Sequence, residues 1–365
     1  MSRGWQQLSR IWLVVLLMRL KAGLAVLALA AATAVPSTPV AASTPAWAPA
    51  NRPGPALSVP AATLAAALKC VGNPATSNGE PVLLSPATGV TPEENYSWNY
   101  ERAFTGAGRA WCAITMPFHT LGDIQTAGEY LVYGIRTMHA RAHQRIAVMG
   151  HSQGGMSMRW ALRFWPDTRP MVDDVIGMAG SNHGTSSLGS CQPNKVKCPP
   201  ADWQQSSKAD FIQALNSIAE TWPGISYTEI FTHHDEVVIP NNTDADSSSA
   251  LHTGAGLITN VATQDICPAD PAEHLLVGTT DPTAYALVMD ALIHAGPANP
   301  SHISTSVCGQ LLQPGVNLLN VAMYVQILEA VPGLGAVDVP GINLVGAPEV
   351  ANEPALRCYV YAAGC

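Results

Sequence analysis

The 365-residue chain is poor in charged residues, and basic residues are especially scarce. Charged side chains make up 12% of the sequence, and 18 Lys and Arg stand against 26 Asp and Glu, which gives a net charge of −8. The basic residues form no clusters. Because nucleic acids and anionic membrane surfaces are bound through basic patches, this composition argues against both as partners. Hydrophobic residues reach 47%, which excludes a globally disordered chain.

Long apolar runs are also missing after the N-terminal region, so we expect no membrane-spanning helix there. Residues 1–42 are typical of a signal peptide. Arg19 and Lys21 precede an apolar run, and Val40-Ala41-Ala42 supplies the small residues of a cleavage site. Translation from Met18 would give this signal a compact basic start. The alternative to a cleaved signal peptide is a retained membrane anchor. The prediction is a secreted, extracellular protein.

Two further segments follow the predicted signal peptide. Residues 43–59 are rich in Pro, Ala and Ser and are interpreted as a linker or loose arm. Residues 60–365 form the predicted catalytic domain, which is long enough to bury a full core.

Eight cysteines lie after the signal peptide, and an even number in an exported chain indicates disulfides. Their order suggests that neighbours pair, although the sequence leaves other pairings open. The neighbouring pairs are Cys70–Cys112, Cys191–Cys198, Cys267–Cys308 and Cys358–Cys365. A metal site of Cys191, Cys198 and His183 is an alternative for one pair, but neither a Cys-x2-Cys spacing nor a second nearby His favours it. We expect no cofactor.

Short apolar runs alternate with longer stretches of helical spacing, which predicts an α/β fold with a mostly parallel sheet and helices on both faces. The predicted strands are 81–85, 111–115, 146–150, 172–178, 227–232 and 257–263, and the predicted helices are 126–143, 153–165, 208–220 and 283–295. Residues 181–205 lack periodicity and indicate a small lid-like or cap-like insertion over the rim of the sheet. The apolar stretch 309–337 predicts a core helix, with a lid or a wall of a lipid-facing cleft as the alternative.

The sequence Gly150-His151-Ser152-Gln153-Gly154 has the pattern G-x-S-x-G. Alone the pattern is weak, but here an apolar strand runs into it and a helix follows, as a nucleophile elbow requires. The turn leaves no room for side chains two positions before and after the serine, where both residues are glycine. We therefore predict Ser152 as a nucleophile at a helix N-terminus, where developing negative charge is favoured.

A serine nucleophile needs a base, and hydrolases of this fold order the triad as serine, acid, histidine. Asp235 follows a predicted strand and is the predicted acid, with Glu236 as the alternative. His274 lies beyond the next strand, in a loop held by Cys267, and is the predicted base. The other histidines in later positions are His252, His294 and His302.

Two backbone N–H groups are predicted to bind the oxyanion of the tetrahedral intermediate. One is that of Gln153, directly after the nucleophile, and the other is that of Thr88, in the loop after strand 81–85. The Thr88 hydroxyl is a further predicted donor.

Several motifs together resemble those of secreted α/β-hydrolase lipases, the lipase B family and its bacterial relatives. These motifs are Leu83-Leu84-Ser85-Pro86-Ala87-Thr88-Gly89, Ser152-Gln153-Gly154-Gly155, Trp203-Gln204-Gln205 and Asp235-Glu236-Val237-Val238. The resemblance spans about residues 58–308. It implies the α/β-hydrolase fold, the triad of Ser152, Asp235 and His274, and oxyanion donors at Thr88 and Gln153.

The same resemblance implies that Gln205, Val237 and Val238 lie near the acyl pocket, and it supports the pairs Cys70–Cys112 and Cys267–Cys308. One departure concerns His151, which stands where the family's lipase B has a tryptophan that shapes the alcohol pocket. We therefore expect His151 to contact substrate and to alter the preference for the alcohol.

The expected function is a monomeric secreted lipase or carboxylesterase that hydrolyses apolar acyl esters such as acylglycerols, in transient contact with a lipid–water interface. An acyltransferase or a polyester hydrolase on the same triad is one alternative. A non-catalytic scaffold that binds lipid or cell-wall material is the other. Asn95-Tyr96-Ser97 and Asn241-Asn242-Thr243 are glycosylation sequons, which matter only in a host that glycosylates them.

Overall fold

The computed structural model describes residues 46–187, 191–316 and 346–364, and its central element is a seven-stranded sheet. The strands are β1 (Leu68–Val71), β2 (Val82–Ser85), β3 (Trp111–Ile114), β4 (Ile146–His151), β5 (Val172–Met178), β6 (Ser226–Phe231) and β7 (Leu257–Ala262). They lie in the order β1-β3-β2-β4-β5-β6-β7, and every neighbouring pair is parallel except β1 with β3. The predicted mostly parallel α/β fold is confirmed.

Helices cover both faces of this sheet. They are α1 (Ala61–Ala67), α2 (Pro92–Tyr96), α3 (Tyr100–Gly106), α4 (Ile124–Ala142), α5 (Gln153–Phe164), α6 (Pro200–Gln204), α7 (Asp210–Leu215), α8 (Thr263–Ile266), α9 (His274–Val277) and α10 (Pro282–Ile293). The predicted helix 208–220 is shorter in the structure, where only α7 forms. Asn216 and Ser217 accept hydrogen bonds from Arg159 and Arg163 of α5, and Ile218 has a positive φ of 73°, so the helix does not continue.

Alternating side chains of the strands supply two apolar layers, one on each face of the sheet. Val148 packs with α4 and α5 on one face, and its neighbour Met149 packs with α3 and α10 on the other. All six residues of β4 are buried. Because β4 lies in the middle of the sheet, the residue that follows it is held at the centre of the rim where the parallel strands end.

The antiparallel edge strand β1 was not predicted. None of its four residues is fully buried and its Lys69 is exposed, so it lacks the buried apolar run that marks β2, β3 and β4. Cys70 lies directly opposite Cys112 of β3 and forms a disulfide with it. The structure also contains the expected disulfides Cys191–Cys198 and Cys267–Cys308. The fourth expected pair includes Cys365, which lies outside the described residues.

The segment 46–59, interpreted from the sequence as a linker or loose arm, packs on the α/β unit together with residues 346–364. Glu129 of α4 contacts both segments, because it accepts hydrogen bonds from Ser58 and forms an ion pair with Arg357. Trp47 stacks on Tyr361 with ring centroids 5.9 Å apart. Composition alone predicts none of these contacts. The predicted signal peptide 1–42 and most of the stretch 309–337 lie outside the described residues.

The described parts of the predicted insertion, 181–187 and 191–205, include α6 and contact the loop after β6. Thr185 joins the two segments, since its hydroxyl donates to the Val237 carbonyl and accepts from the Ile239 N–H. Over the described ranges, no helix has the combination of length and apolar character that crossing a membrane requires.

Candidate active site

The predicted elbow forms between β4 and α5. Ser152 has φ 54° and ψ −125°, a strained backbone conformation that costs about 1–3 kcal/mol and persists only where the surroundings impose it. Its N–H donates to the Met178 carbonyl of β5 at 2.8 Å, and its side chain does not cap α5. A Cβ on Gly150 would lie 2.3 Å from the Gly154 backbone, and one on Gly154 would lie 2.2 Å from the Ser85 carbonyl oxygen. Both positions therefore require glycine.

Asp235 and His274 lie in hydrogen-bond contact next to this elbow. His274 Nδ1 is 3.0 Å from each carboxylate oxygen of Asp235. The carboxylate also accepts hydrogen bonds from the N–H groups of Val237 and Val238, at 3.0 and 2.7 Å. These bonds fix the carboxylate, which in turn fixes the orientation of the imidazole ring.

The environment of His274 raises the pKa of its imidazole above the ordinary 6.5. Burial lowers this pKa, but the charge and hydrogen bond of Asp235, with the charges of Glu236 and Glu273, outweigh that effect. The residue is 0% exposed, and within the described parts of the chain its Nε2 has no hydrogen-bond partner. A buried imidazole nitrogen without a partner is available for a proton from a neighbouring hydroxyl.

The alternative acids and bases make other contacts. Glu236 accepts a hydrogen bond from the His274 backbone N–H at 3.4 Å, whereas Asp235 is the carboxylate that contacts the imidazole of His274. His302 and His294 both contact Asp290 of α10, at 3.0 and 2.8 Å. The remaining alternative, His252, stacks on His183.

The sequence predicted His274 in a loop, but in the structure it is the first residue of the short helix α9. The side chain of Glu273 caps this helix by accepting hydrogen bonds from the N–H groups of Leu275 and Leu276. The sequence did not suggest this helix, because its four residues are too few for a periodic pattern and Glu is not among the preferred cap residues.

The residues predicted around the oxyanion form one hydrogen-bond network. The Thr88 hydroxyl donates to Gln153 Oε1 at 2.8 Å, and Gln205 Nε2 donates to Thr88 Oγ1 at 2.9 Å and to Gln153 Oε1 at 3.2 Å. Gln205 Oε1 accepts in turn from the Ser181 hydroxyl at 3.0 Å. Gln205, expected near the acyl pocket, thus contacts the side chains of both predicted oxyanion residues.

His151 differs from the expectation that it contacts substrate. The residue is 1% exposed, and both of its ring nitrogens face protein groups: Nε2 is 3.0 Å from the His274 carbonyl oxygen, and Nδ1 is 3.4 Å from Asn95 Nδ2. Burial and repulsion by His274 lower the pKa of His151 to about 3. The ring therefore remains neutral, and it contacts the backbone of His274.

Sequence analysis named Asn241 only within a glycosylation sequon and gave it no role at the site, but it is 2% exposed and lies beside Asp235. Its Nδ2 donates to Asp235 Oδ2 at 3.1 Å and to the Val238 carbonyl at 2.8 Å. Its position in the same loop as Asp235, six residues further on, was the only available signal. Both sequon asparagines, Asn95 and Asn241, are therefore buried in contacts with residues of the site.

Apolar side chains border the site on both sides. Val237 is half-buried and Val238 is buried in the loop of Asp235. A small apolar cluster extends from Ala87, next to Thr88, to Leu275, next to His274, and its other buried members are Val90 and Trp98. The arrangement combines a strained serine, an imidazole held by a carboxylate, and apolar walls, which suits acyl transfer from an apolar ester.

Comparison with known proteins gives similarities to lipases. The family described as "Lipase (class 2)" matches residues 135–266. Lipase B of Pseudozyma antarctica is 31% identical over 239 residues, which cover 65% of this chain and 67% of that protein. The crystal structure of Aspergillus fumigatus lipase B superposes with a TM-score of 0.75 at 29% identity, covering 86% of this chain and 75% of that one.

Proposed function

Because the chain belongs to the lipase B family and is a carboxylic ester hydrolase, we propose that Ser152, His274 and Asp235 are its nucleophile, base and orienting acid. The observation that carries this proposal is the contact between His274 Nδ1 and Asp235 at 3.0 Å beside the strained Ser152, with His274 Nε2 left without a partner among the described residues.

The reaction begins when the Ser152 hydroxyl attacks the ester carbonyl carbon and gives its proton to His274 Nε2. Asp235 stabilises the imidazolium that forms and keeps Nδ1 protonated. His274 then returns the proton to the leaving alcohol as the C–O bond breaks, which leaves an acyl group on Ser152. Water attacks this acyl-enzyme with His274 as base, and the carboxylic acid and free serine result.

The oxyanion of each tetrahedral intermediate is bound by the N–H groups of Gln153 and Thr88. The Gln153 N–H belongs to the first turn of α5, where N–H groups have no acceptor inside the helix. Removing one such donor typically costs about 3 kcal/mol of barrier. The Thr88 hydroxyl becomes a third donor only if it turns away from Gln153 Oε1, its acceptor in this structure.

The proposed substrates are esters with apolar acyl chains, such as acylglycerols, taken from a lipid–water interface by a monomeric enzyme. The apolar cluster that contains Ala87 and Leu275 and the half-buried Val237 support this choice, since apolar chains are bound through apolar walls. The disulfides support the further proposal that the protein is exported, with residues 1–42 removed. Sequencing the N-terminus of the secreted protein tests this export.

A phosphonate that labels active serines tests the triad. Wild-type protein should be labelled in a ratio of one to one, and Ser152→Ala should not be labelled. His274→Ala should lose turnover of p-nitrophenyl esters, whereas His302→Ala should retain it. Labelling of Ser152→Ala, or near-normal turnover by His274→Ala, would show that the triad is wrong. Rates across acyl chains of increasing length, with and without an interface, then define the substrate class.

A further inference from the structure

The side chain of His151 fills the space between the nucleophile strand and the helix that carries His274. It is the last residue of β4, directly before Ser152, and its ring lies 5.1 Å from the His274 ring, centroid to centroid. Gly278, which follows α9, rests on the same ring: a Cβ there would lie 2.3 Å from the His151 ring carbons. The helix of His274 therefore sits directly on His151, and only glycine at position 278 permits this approach.

The hydrogen bonds of the His151 ring have a defined direction. The His274 carbonyl oxygen can only accept, so His151 Nε2, 3.0 Å away, carries a proton and donates it. Because the ring is neutral, Nδ1 must then be an acceptor. Asn95 Nδ2, 3.4 Å away, is the donor that faces it.

Asn95 extends this connection to the loop of Thr88. Its Oδ1 accepts a hydrogen bond from the Ala87 N–H at 2.9 Å, which requires that Nδ2 points to His151. The asparagine is itself fixed, since it lies in α2, whose first turn is closed by the capping box of Thr91 and Glu94. Buried and consistent hydrogen bonds thus run from the Ala87 N–H through Asn95 and His151 to the His274 carbonyl.

We propose that His151 is a positioning residue that, together with Asn95, fixes the catalytic base relative to the Thr88 oxyanion loop across the nucleophile. This inference rests on the proposed function, because it assigns His151 a role toward His274 as base. A neutral His151 suits the task, since it adds no positive charge when His274 becomes an imidazolium. The hydrogen bond from His151 Nε2 holds the backbone of His274 in α9, and through it sets the position of the His274 ring relative to Ser152.

The test compares His151→Phe with His151→Gln, and uses His302→Phe as a matched control outside the site. Phenylalanine keeps the ring but removes the donor, so kcat should fall at least tenfold, toward the ~100-fold loss that a ~1 Å misplacement of a catalytic group produces. KM should stay within about twofold of wild type. Glutamine keeps an N–H group at the reach of Nε2 and should recover most of kcat. His302→Phe should match the wild type.

The pH profile separates a positioning role from a merely structural one. In His151→Phe, a displaced His274 loses part of its contact with Asp235, so the acid limb of kcat/KM should move to lower pH and return in His151→Gln. The charges that act on His274 besides Asp235 are Glu236 and Glu273, and both remain in every variant. A fall in melting temperature without this shift would contradict the inference.

Asn95→Leu provides a second route if His151→Phe does not fold. The near-isosteric leucine removes both the donor that faces His151 Nδ1 and the acceptor of the Ala87 N–H, so the connection to His274 is broken, kcat should fall and the acid limb should move to lower pH, as in His151→Phe. An unchanged kcat and profile in this variant would overturn the inference, as would His151→Phe with native circular dichroism and kcat within about threefold of wild type. Labelled Ser152→Ala or active His274→Ala would instead overturn the triad itself.

Discussion

Replacing Gly150 by alanine should disable the proposed nucleophile, Ser152, without unfolding the protein. An added Cβ would lie 2.3, 2.4 and 2.5 Å from three backbone atoms of Gly154 and Gly155. An ordinary contact needs about 3.4 Å, so the first turn of α5 must move by roughly 1 Å. That turn carries the Gln153 N–H, and a displacement of ~1 Å at a catalytic group costs about 100-fold in rate.

The overpacking itself should destabilise the protein by about 1–3 kcal/mol, which a domain of this size tolerates. The assay therefore combines circular dichroism, to establish folding, with active-site titration and initial rates on a p-nitrophenyl ester. We expect Gly150→Ala to keep the native spectrum, to titrate slowly with phosphonate, and to lose about 100-fold in kcat.

Two further glycines give a graded comparison. A Cβ on Gly155 would meet its nearest atoms at 3.3 Å, so Gly155→Ala should have an intermediate effect. A Cβ on Gly106, the last residue of α3, would meet nothing within 4 Å, so Gly106→Ala should keep full activity and gain up to about 1 kcal/mol in stability. If Gly150→Ala keeps kcat within about threefold, or if Gly106→Ala is equally damaged, the close approach at the elbow does not determine activity.

Three other predictions concern the remaining parts of the site. Because the base must be neutral and the pKa of His274 is raised, kcat/KM should rise with pH through an apparent pKa above 6.5. Asp235→Asn should move this rise to lower pH and reduce kcat by about 10⁴-fold, which a series of rates against pH measures. Thr88→Val should lose a further factor of about 10²–10³ relative to Thr88→Ser if the hydroxyl is an oxyanion donor, and equal rates would limit the role of Thr88 to its N–H. In a glycosylating host, Thr243→Ala should raise the specific activity, because a glycan on the buried Asn241 disrupts the contact with Asp235; mass spectrometry and expression in bacteria provide the comparison.

The sheet and the long helices were predictable because burial leaves a strong signal in the sequence. β2 and β4 are buried on both faces, so each contains an unbroken apolar run, Val82-Leu83-Leu84 and Ile146-Ala147-Val148-Met149, and the helix that follows β4 begins at the glycine-rich elbow. The edge strand β1 has no such signal. The short helix α9 had none either, since it is fixed by the Glu273 cap and by contact with His151.

The polar contacts behind the proposed catalytic residues were not predictable, because they join residues that are distant in sequence and follow no period. Asn95 and His151 are separated by 56 positions, and His151 and His274 by 123. His151 illustrates the difficulty. Its place in the motif suggested a residue facing substrate, but the backbone turn at Ser152 directs only the serine to the rim and leaves the preceding side chain beneath α9.

The two asparagines of the site perform a task that few other side chains can. Each must satisfy a donor and an acceptor at once in a buried position, and an amide offers both without a charge. Asn241 donates to Asp235 and the Val238 carbonyl while its Oδ1 accepts from the Ser247 hydroxyl at 2.6 Å. Asn95 accepts from Ala87 and faces His151 with its donor. An unpaired partner at either place would cost about 1–3 kcal/mol, so Asn95 stabilises the loop of Thr88, and Asn241 adds to the Val237 and Val238 N–H groups that hold Asp235.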